Sequence, residues 1–287
     1  MKLTFDLNGK TAVVTGGGGV LCSGFSKTLA EAGAKVAVCD LRLEAAEKVA
    51  EEIRNNGGTA EAFEMNVLKK ESVEAAAAAI EAKLGKVDIL LNGAGGNNPK
   101  GSTSRDFLSP DEVKDLDENG TIEGVKTFFD LDPDGISFVF NLNFLGTLIP
   151  TQVFARDMAR RGGTIINVSS MNAFRPLTRI PAYSGAKAAV SNFTQWLAVH
   201  FAPVGIRVNA IAPGFFLTEQ NRTLLTNPDG SLTARADKII AHTPVHRFGV
   251  PSDLDGTLLW LADDNFSSFV NGVVVPVDGG FAAYSGV

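Results

Sequence analysis

The chain has 287 residues, 45% of them hydrophobic, enough for one large α/β domain or two small ones with a sizeable core. Its net charge of −6 argues against a nucleic-acid surface, which needs clustered Lys and Arg to displace counterions. The two cysteines, Cys22 and Cys39, have neither metal-knuckle nor redox spacing, and the N-terminus shows no signal-peptide pattern, so a reducing, cytoplasmic setting is expected.

The first element is "TAVVT", Thr11 to Thr15, a strand followed by four glycines and an amphipathic segment over 20–32. The glycines fit no G-x-G-x-x-G register, because Leu21 or Cys22 stands where the third glycine is needed. A P-loop also fails, since Phe25 and Ser26 occupy the Lys-Ser/Thr positions. What remains is physical. A tight turn from Thr15 through Gly16 to Gly19 and the helix start at Val20 and Leu21 present backbone N–H groups to an anion. The second strand, "KVAVCD", closes on Asp40 beside Leu41. A carboxylate there suits the two hydroxyls of an adenosine ribose and repels a 2′-phosphate, which favours NAD over NADP. An ordinary cap for the next helix, over 43–56, explains the same aspartate.

"TAEAFEMNV" is the third strand, 70–84 a helix, and "VDILLN" the fourth strand. Residues 96–140 then break the rhythm with ten Asp/Glu against four Lys/Arg, a net of −6. A solvated insertion, a lid and a subunit contact all fit. Inside it "DLDPDG" matches the opening of a calcium loop, but Asn141 stands where the bidentate Glu belongs, and an Asp/Gly turn explains the same residues. No metal is expected. Next come a helix near 141–161, the strand "GTIINVSS", a helix over 183–202, the strand "GIRVNAIAPG", a helix over 251–262 and the strand "GVVVPVDGG". Ala188 to Ile206 lack charge, yet contain Ser191, Asn192, Gln195, His200 and Pro203, so a buried helix is expected and no membrane span. Alternating strands and helices predict a parallel sheet covered on both faces, with ligands at the carboxyl ends of its strands.

Tyr183 and Lys187 in "YSGAK" share a helix face at i, i+4. An ammonium near a phenol favours the phenolate and brings a group of pKa near 10 into the range of a base. Alone the pair is common. Ser170, thirteen residues before Tyr183 at the end of "INVSS", together with "DILLNGAGG", "NLNFLGT" and "RVNAIAPGFFLT", makes the chain resemble the short-chain dehydrogenase/reductase family over essentially its whole length. The resemblance implies a single α/β domain, a Rossmann-like doubly wound sheet of seven parallel strands with helices on both faces, a nicotinamide cofactor, and a homodimer or homotetramer. It makes Tyr183 the acid/base and Lys187 the ribose ligand that lowers the tyrosine pKa. Ser170 holds the substrate oxygen, and Asn143 holds a relay water. It further places Asn66, Val67, Asn92, Ala94, Gly95, Pro213, Gly214, Phe216 and Thr218 along the cofactor.

The chain departs from the family pattern at Val20 and Cys22, where glycines are usual, at Gly93, where the second Asn of "NNAG" stands, and at Asn66, which replaces Asp. For substrate, the insertion, "SSMNAFRPLTRIPAY" and "TEQNRTLL" resemble the D-mannonate oxidoreductase (fructuronate reductase) branch, implying a sugar acid. Asn172 and the three guanidinium groups of Arg175, Arg179 and Arg222 lie in loops expected over the site, and guanidinium forks suit a carboxylate. Those arginines equally fit pairing with the acidic insertion or another subunit. Gluconate-type or polyol oxidation, 3-oxoacyl reduction and a catalytically silent dinucleotide sensor are the competing functions.

Overall fold

Seven short apolar runs align as one parallel sheet in the order β3-β2-β1-β4-β5-β6-β7. The strands are β1 Thr11–Thr15, β2 Lys35–Asp40, β3 Thr59–Glu64, β4 Ile89–Asn92, β5 Gly163–Val168, β6 Ile206–Pro213 and β7 Val274–Val277. The computed structural model describes residues 4–217 and 225–286. Thr218 and Arg222, both expected at the site, lie outside the described residues.

The strands alternate between two cores. Ala12, Val14, Ile89, Leu91 and Ile166 face one, and Val13, Leu90 and Ile165 face the other, as the two-residue period of a strand requires. The first core is closed by α1 Val20–Glu31, α2 Leu43–Asn55 and the helix Asp255–Ala262; the second by α3 Lys70–Leu84, α6 Gly146–Met158 and α7 Pro181–Phe201. In α2 the buried residues Ala46, Val49, Ala50 and Ile53 fall at i, i+3, i+4 and i+7, one stripe of a 3.6-residue helix. Because strand order reverses between β1 and β4, a crevice opens at their carboxyl ends.

Two boundaries differ from those predicted. The helix expected near 141–161 begins at Pro133: α5 Pro133–Phe140 runs through a π-helical turn, Asn141–Leu145, into α6. Asp132 caps its start by accepting from Asp134 N at 2.9 Å, and Asp130 accepts from Thr127 N at 2.7 Å. Two of the three "DLDPDG" carboxylates, Asp130 and Asp132, thus hold a turn and a cap. The helix expected over 251–262 opens as a 3₁₀ turn, Pro251–Leu254. Among the described residues, Pro133–Met158 is long and apolar enough by composition to cross a membrane, but it carries the buried polar residues Asn143, Thr147 and Thr151 and packs on the sheet through Phe154, Ala155 and Met158.

Candidate active site

The glycine loop is shaped by the backbone around it. Gly16 has φ +66°, and a Cβ there would meet Ala94 Cα at 2.9 Å, so position 16 is confined to glycine. Gly17 N donates to Cys39 O, Gly18 N to Asp40 Oδ2 at 3.1 Å and Gly19 N to Gly16 O. Asp40 Oδ1 also accepts from Arg42 N at 3.0 Å. The carboxylate of half-buried Asp40 therefore fastens the loop to the end of β2. Gly19, the N-cap of α1, offers no side-chain acceptor, which leaves the first-turn N–H groups of Val20 and Leu21 to an anion. Exposed Leu41 forms an apolar shelf beside Asp40.

Thr15 and Cys22, which the sequence did not mark as site residues, join this loop to β4. Thr15 Oγ1 accepts from Gly93 N at 3.0 Å and Ala94 N at 3.2 Å. A Cβ at Gly93 would collide with Cys22 Sγ and approach Thr15 O at 2.9 Å. The two departures at 22 and 93 are one exchange: the cysteine sulfur fills the space that a side chain at 93 would take. Burial pushes the Cys22 thiol up to about 12, so it is an inert filler.

Several expected cofactor residues are turned inward. Asn92 Nδ2 donates to Thr151 Oγ1 and Asn167 Oδ1 inside the sheet. Val67 is buried, Phe216 packs against Gly249, and Asn66 Oδ1 accepts from Leu68 N. Asn92, Val67 and Phe216 can shape the crevice walls; Ala94, Gly95, Pro213 and Gly214 lie at strand ends along it. The crevice fits a dinucleotide: a glycine turn without room for Cβ, an uncapped twelve-residue helix facing it, and an acid at the end of β2.

Tyr183 and Lys187 occupy the first two turns of α7, whose start is set by Pro181 at N1. The Lys187 ammonium lies 5.6 Å from the Tyr183 ring centroid and donates to Val168 O at 2.7 Å. Burial lowers its pKa to about 8. The Tyr183 phenol is raised above its ordinary value by burial, and a hydrogen bond with Ser170 opposes that shift. The sequence predicts a depressed tyrosine; in the structure desolvation outweighs the Ser170 hydrogen bond. Ser170 caps the 3₁₀ turn Met171–Ala173, accepting from Asn172 N at 3.2 Å, whereas Ser169 is spent on Lys187 O and Ser191.

Asn143 sits in the π turn, fully buried. Its Nδ2 donates to Gly96 O at 2.7 Å and Val139 O at 2.8 Å, and Oδ1 accepts from Gly96 N at 3.3 Å. Both amide hydrogens are consumed, so a relay water would have only a remaining Oδ1 lone pair. A Cβ at Gly95 would meet Asn143 Oδ1 at 2.6 Å and Lys187 Nζ at 3.2 Å. Gly95, Asn143 and Lys187 thus converge.

A cavity of about 490 Å³ is lined by residues 175–180 of the loop that joins Ser170 to Tyr183, by Phe215 and Phe281, and by the helix α8 Ala234–Ala241, though not by Ser170, Tyr183, Lys187 or Asn143 themselves. Arg175 and Arg179 both reach it, with different fates. Among the described residues Arg175 donates to the neighbouring Phe174 O at 3.2 Å. Arg179 Nε instead contacts Asp106 Oδ1 at 2.6 Å, in the acidic segment. Asn172 is buried, and its Oδ1 has no partner among the described residues.

Residues 10–229 match the short chain dehydrogenase family model. The chain belongs to that family and is an oxidoreductase. It is 57% identical over 283 residues to an uncharacterised oxidoreductase of Haemophilus influenzae, covering 98% of this chain and 96% of that one. A crystal structure of a provisionally assigned D-mannonate oxidoreductase from the same organism, with bound NAD, superposes with TM-score 0.91 at 56% identity, covering 98% of both chains. The 2-dehydro-3-deoxy-D-gluconate 5-dehydrogenase of Dickeya dadantii is 32% identical, covering 98% of both.

Proposed function

We propose that the protein is a cytoplasmic, homo-oligomeric NAD-dependent oxidoreductase that interconverts a secondary alcohol and a ketone on a sugar acid, with D-mannonate and D-fructuronate the pair. The observation that carries the substrate class is the Arg175 guanidinium, free of an acidic partner among the described residues and lining a cavity fed by the Ser170–Tyr183 loop. Support for the pair comes from the provisional D-mannonate assignment of the relative at 56% identity and from the sugar-acid substrate named for the Dickeya enzyme.

NAD, when bound, accepts or returns the hydride. Tyr183 gives or takes the proton at the substrate oxygen, and Ser170, already hydrogen-bonded with it, steadies charge on that oxygen. Lys187 brings a buried cation beside the phenol, which with the positive nicotinamide of bound NAD would favour the phenolate against the desolvation that raises Tyr183. Asn143 fixes Gly95 and Gly96 as the wall against which Lys187 stands. Asp40 selects the ribose hydroxyls. Retention of Ser170, Tyr183 and Lys187 in one buried cluster favours an enzyme over a silent sensor.

The deciding experiment is a panel of aldonates, ketouronates, uncharged polyols and 3-oxoacyl thioesters assayed with NAD and NADP. Turnover of D-mannonate or D-fructuronate with NAD(H) is expected; turnover of uncharged polyols alone would overturn the sugar-acid assignment. Tyr183→Phe should lower kcat by about 10²–10⁴-fold while leaving NADH binding intact.

A further inference from the structure

The acidic segment contributes one side chain to the cavity. Asp106 Oδ1 accepts from Arg179 Nε at 2.6 Å and Thr178 Oγ1 at 3.2 Å, and Oδ2 accepts from Lys238 Nζ at 2.7 Å. One carboxylate thereby ties three separate pieces of the cavity wall: the segment after β4, the loop before α7, and α8. Its position is reinforced by the backbone, since Thr103 N donates to Arg179 O at 2.9 Å. The segment is also folded on itself there: Ser104 N donates to Lys126 O, and Lys126 N to Ser104 Oγ, each at 2.8 Å.

The cations of this cavity are therefore sorted. Arg179 and Lys238 are held by Asp106, while Arg175 and Arg235 have no acidic partner among the described residues. Charge-assisted bonds of this length are the strong ones, and Asp106 is delivered by its own chain, so a free ligand meets it at high local concentration. The two bound cations hold the Asp106 carboxyl well below the usual range, so it stays ionised throughout the working pH range.

We propose that Asp106 is a specificity-positioning residue: it keeps Arg179 and Lys238 in the wall and leaves Arg175 and Arg235 as the cations open to a ligand carboxylate. The inference deepens the sugar-acid reading and rests on it for the identity of the ligand, but not for the sorting of charge. Removing the Asp106 charge releases two cations into the cavity, which favours ligands carrying a second carboxylate.

Malonate, a dicarboxylate, titrated calorimetrically into the full-length protein tests this. Asp106→Asn should bind malonate about tenfold tighter than wild type, Asp106→Glu within about threefold of wild type, and Lys238→Met added to Asp106→Asn should return most of the gain. A structural loosening alone would weaken binding, so unchanged or weaker binding by a folded Asp106→Asn protein overturns the proposal. Should Asp106→Asn fail to fold, single variants decide: Lys238→Met should leave malonate affinity within about twofold and Arg175→Gln weaken it roughly fivefold. The reverse ranking refutes the sorting. Wild-type turnover of no carboxylated sugar would sink the sugar-acid reading and leave this titration standing, whereas aldonate turnover with malonate binding insensitive to Asp106 would sink only the present inference.

Discussion

Lys187 is a base with its ammonium on the Val168 carbonyl and only 4% of its surface exposed. Its pKa of about 8 lies below that of an unfolded lysine, so between pH 8 and 10 the unfolded chain binds more protons than the folded one. Stability attributable to Lys187 therefore rises with pH across that window, by at most about 1.4 kcal/mol per pH unit. Urea unfolding of the cofactor-free protein should show the stability of wild type relative to Lys187→Met increasing from pH 8 to 10; a constant difference would mean the buried amine is not the titrating group. Asp40 makes a second residue-scale case, because it both holds Gly18 N and Arg42 N and faces the crevice. Asp40→Asn removes the charge that repels a 2′-phosphate but keeps one acceptor. The ratio of kcat/KM with NADP to that with NAD should rise roughly tenfold or more, at a cost in stability of about 1 kcal/mol for the lost bond. An unaltered cofactor ratio would show that selection lies elsewhere.

At the scale of elements, the alternation of strands with helices, the parallel sheet and the i, i+4 spacing of Tyr183 and Lys187 were legible because they follow from local chemistry: short apolar runs between helical patterns, and two side chains one turn apart on α7. The π turn at Asn143 was not, since its letters read as ordinary helix, and the Asn143 side chain there bonds to Gly96, forty-seven residues away, as well as to Val139 in the preceding turn. Nor could spacing reveal that Arg179 belongs to Asp106, seventy-three residues away. The oddities at 22 and 93 were visible singly but meaningful only as a contact between α1 and the end of β4. That contact yields a double-mutant cycle. Gly93→Asn alone forces Cys22 Sγ and should cost about 1–3 kcal/mol of overpacking, with weaker NAD binding. Adding Cys22→Gly, which restores the family's usual pair, should recover much of the loss, though not all, because Thr15 O stands at 2.9 Å as well. Additive losses in thermal unfolding would show that the two positions are not exchanged for one another.

For the whole molecule, α7 has two faces with different fates. Ala182, Ala186, Lys187, Val190, Thr194 and Leu197 point inward, Lys187 of the proposed catalytic cluster among them. The outward face bears an aromatic ladder that continues onto the π turn: Phe144 on Phe193 at 5.2 Å, Phe193 on Trp196 at 6.1 Å, and Trp196 on His200 at 4.6 Å. Trp196 is 56% exposed and Val199 78%, and Leu145 in the π turn next to Phe144 is exposed as well. An exposed apolar face of this kind is the usual mark of a contact surface, and in the proposed homo-oligomer a second copy of the same chain would bury it by two-fold symmetry. Light scattering should then give twice or four times the chain mass of 30.2 kDa. Val199→Asp introduces its charge twice in a symmetric interface, so it should shift the population toward 30.2 kDa while helical content is kept. Since Tyr183 and Lys187 ride on the same helix, loss of the partner should also lower kcat several-fold without changing which cofactor is used. A wild-type protein of single-chain mass at micromolar concentration, fully active, would remove the oligomer from the account of the site.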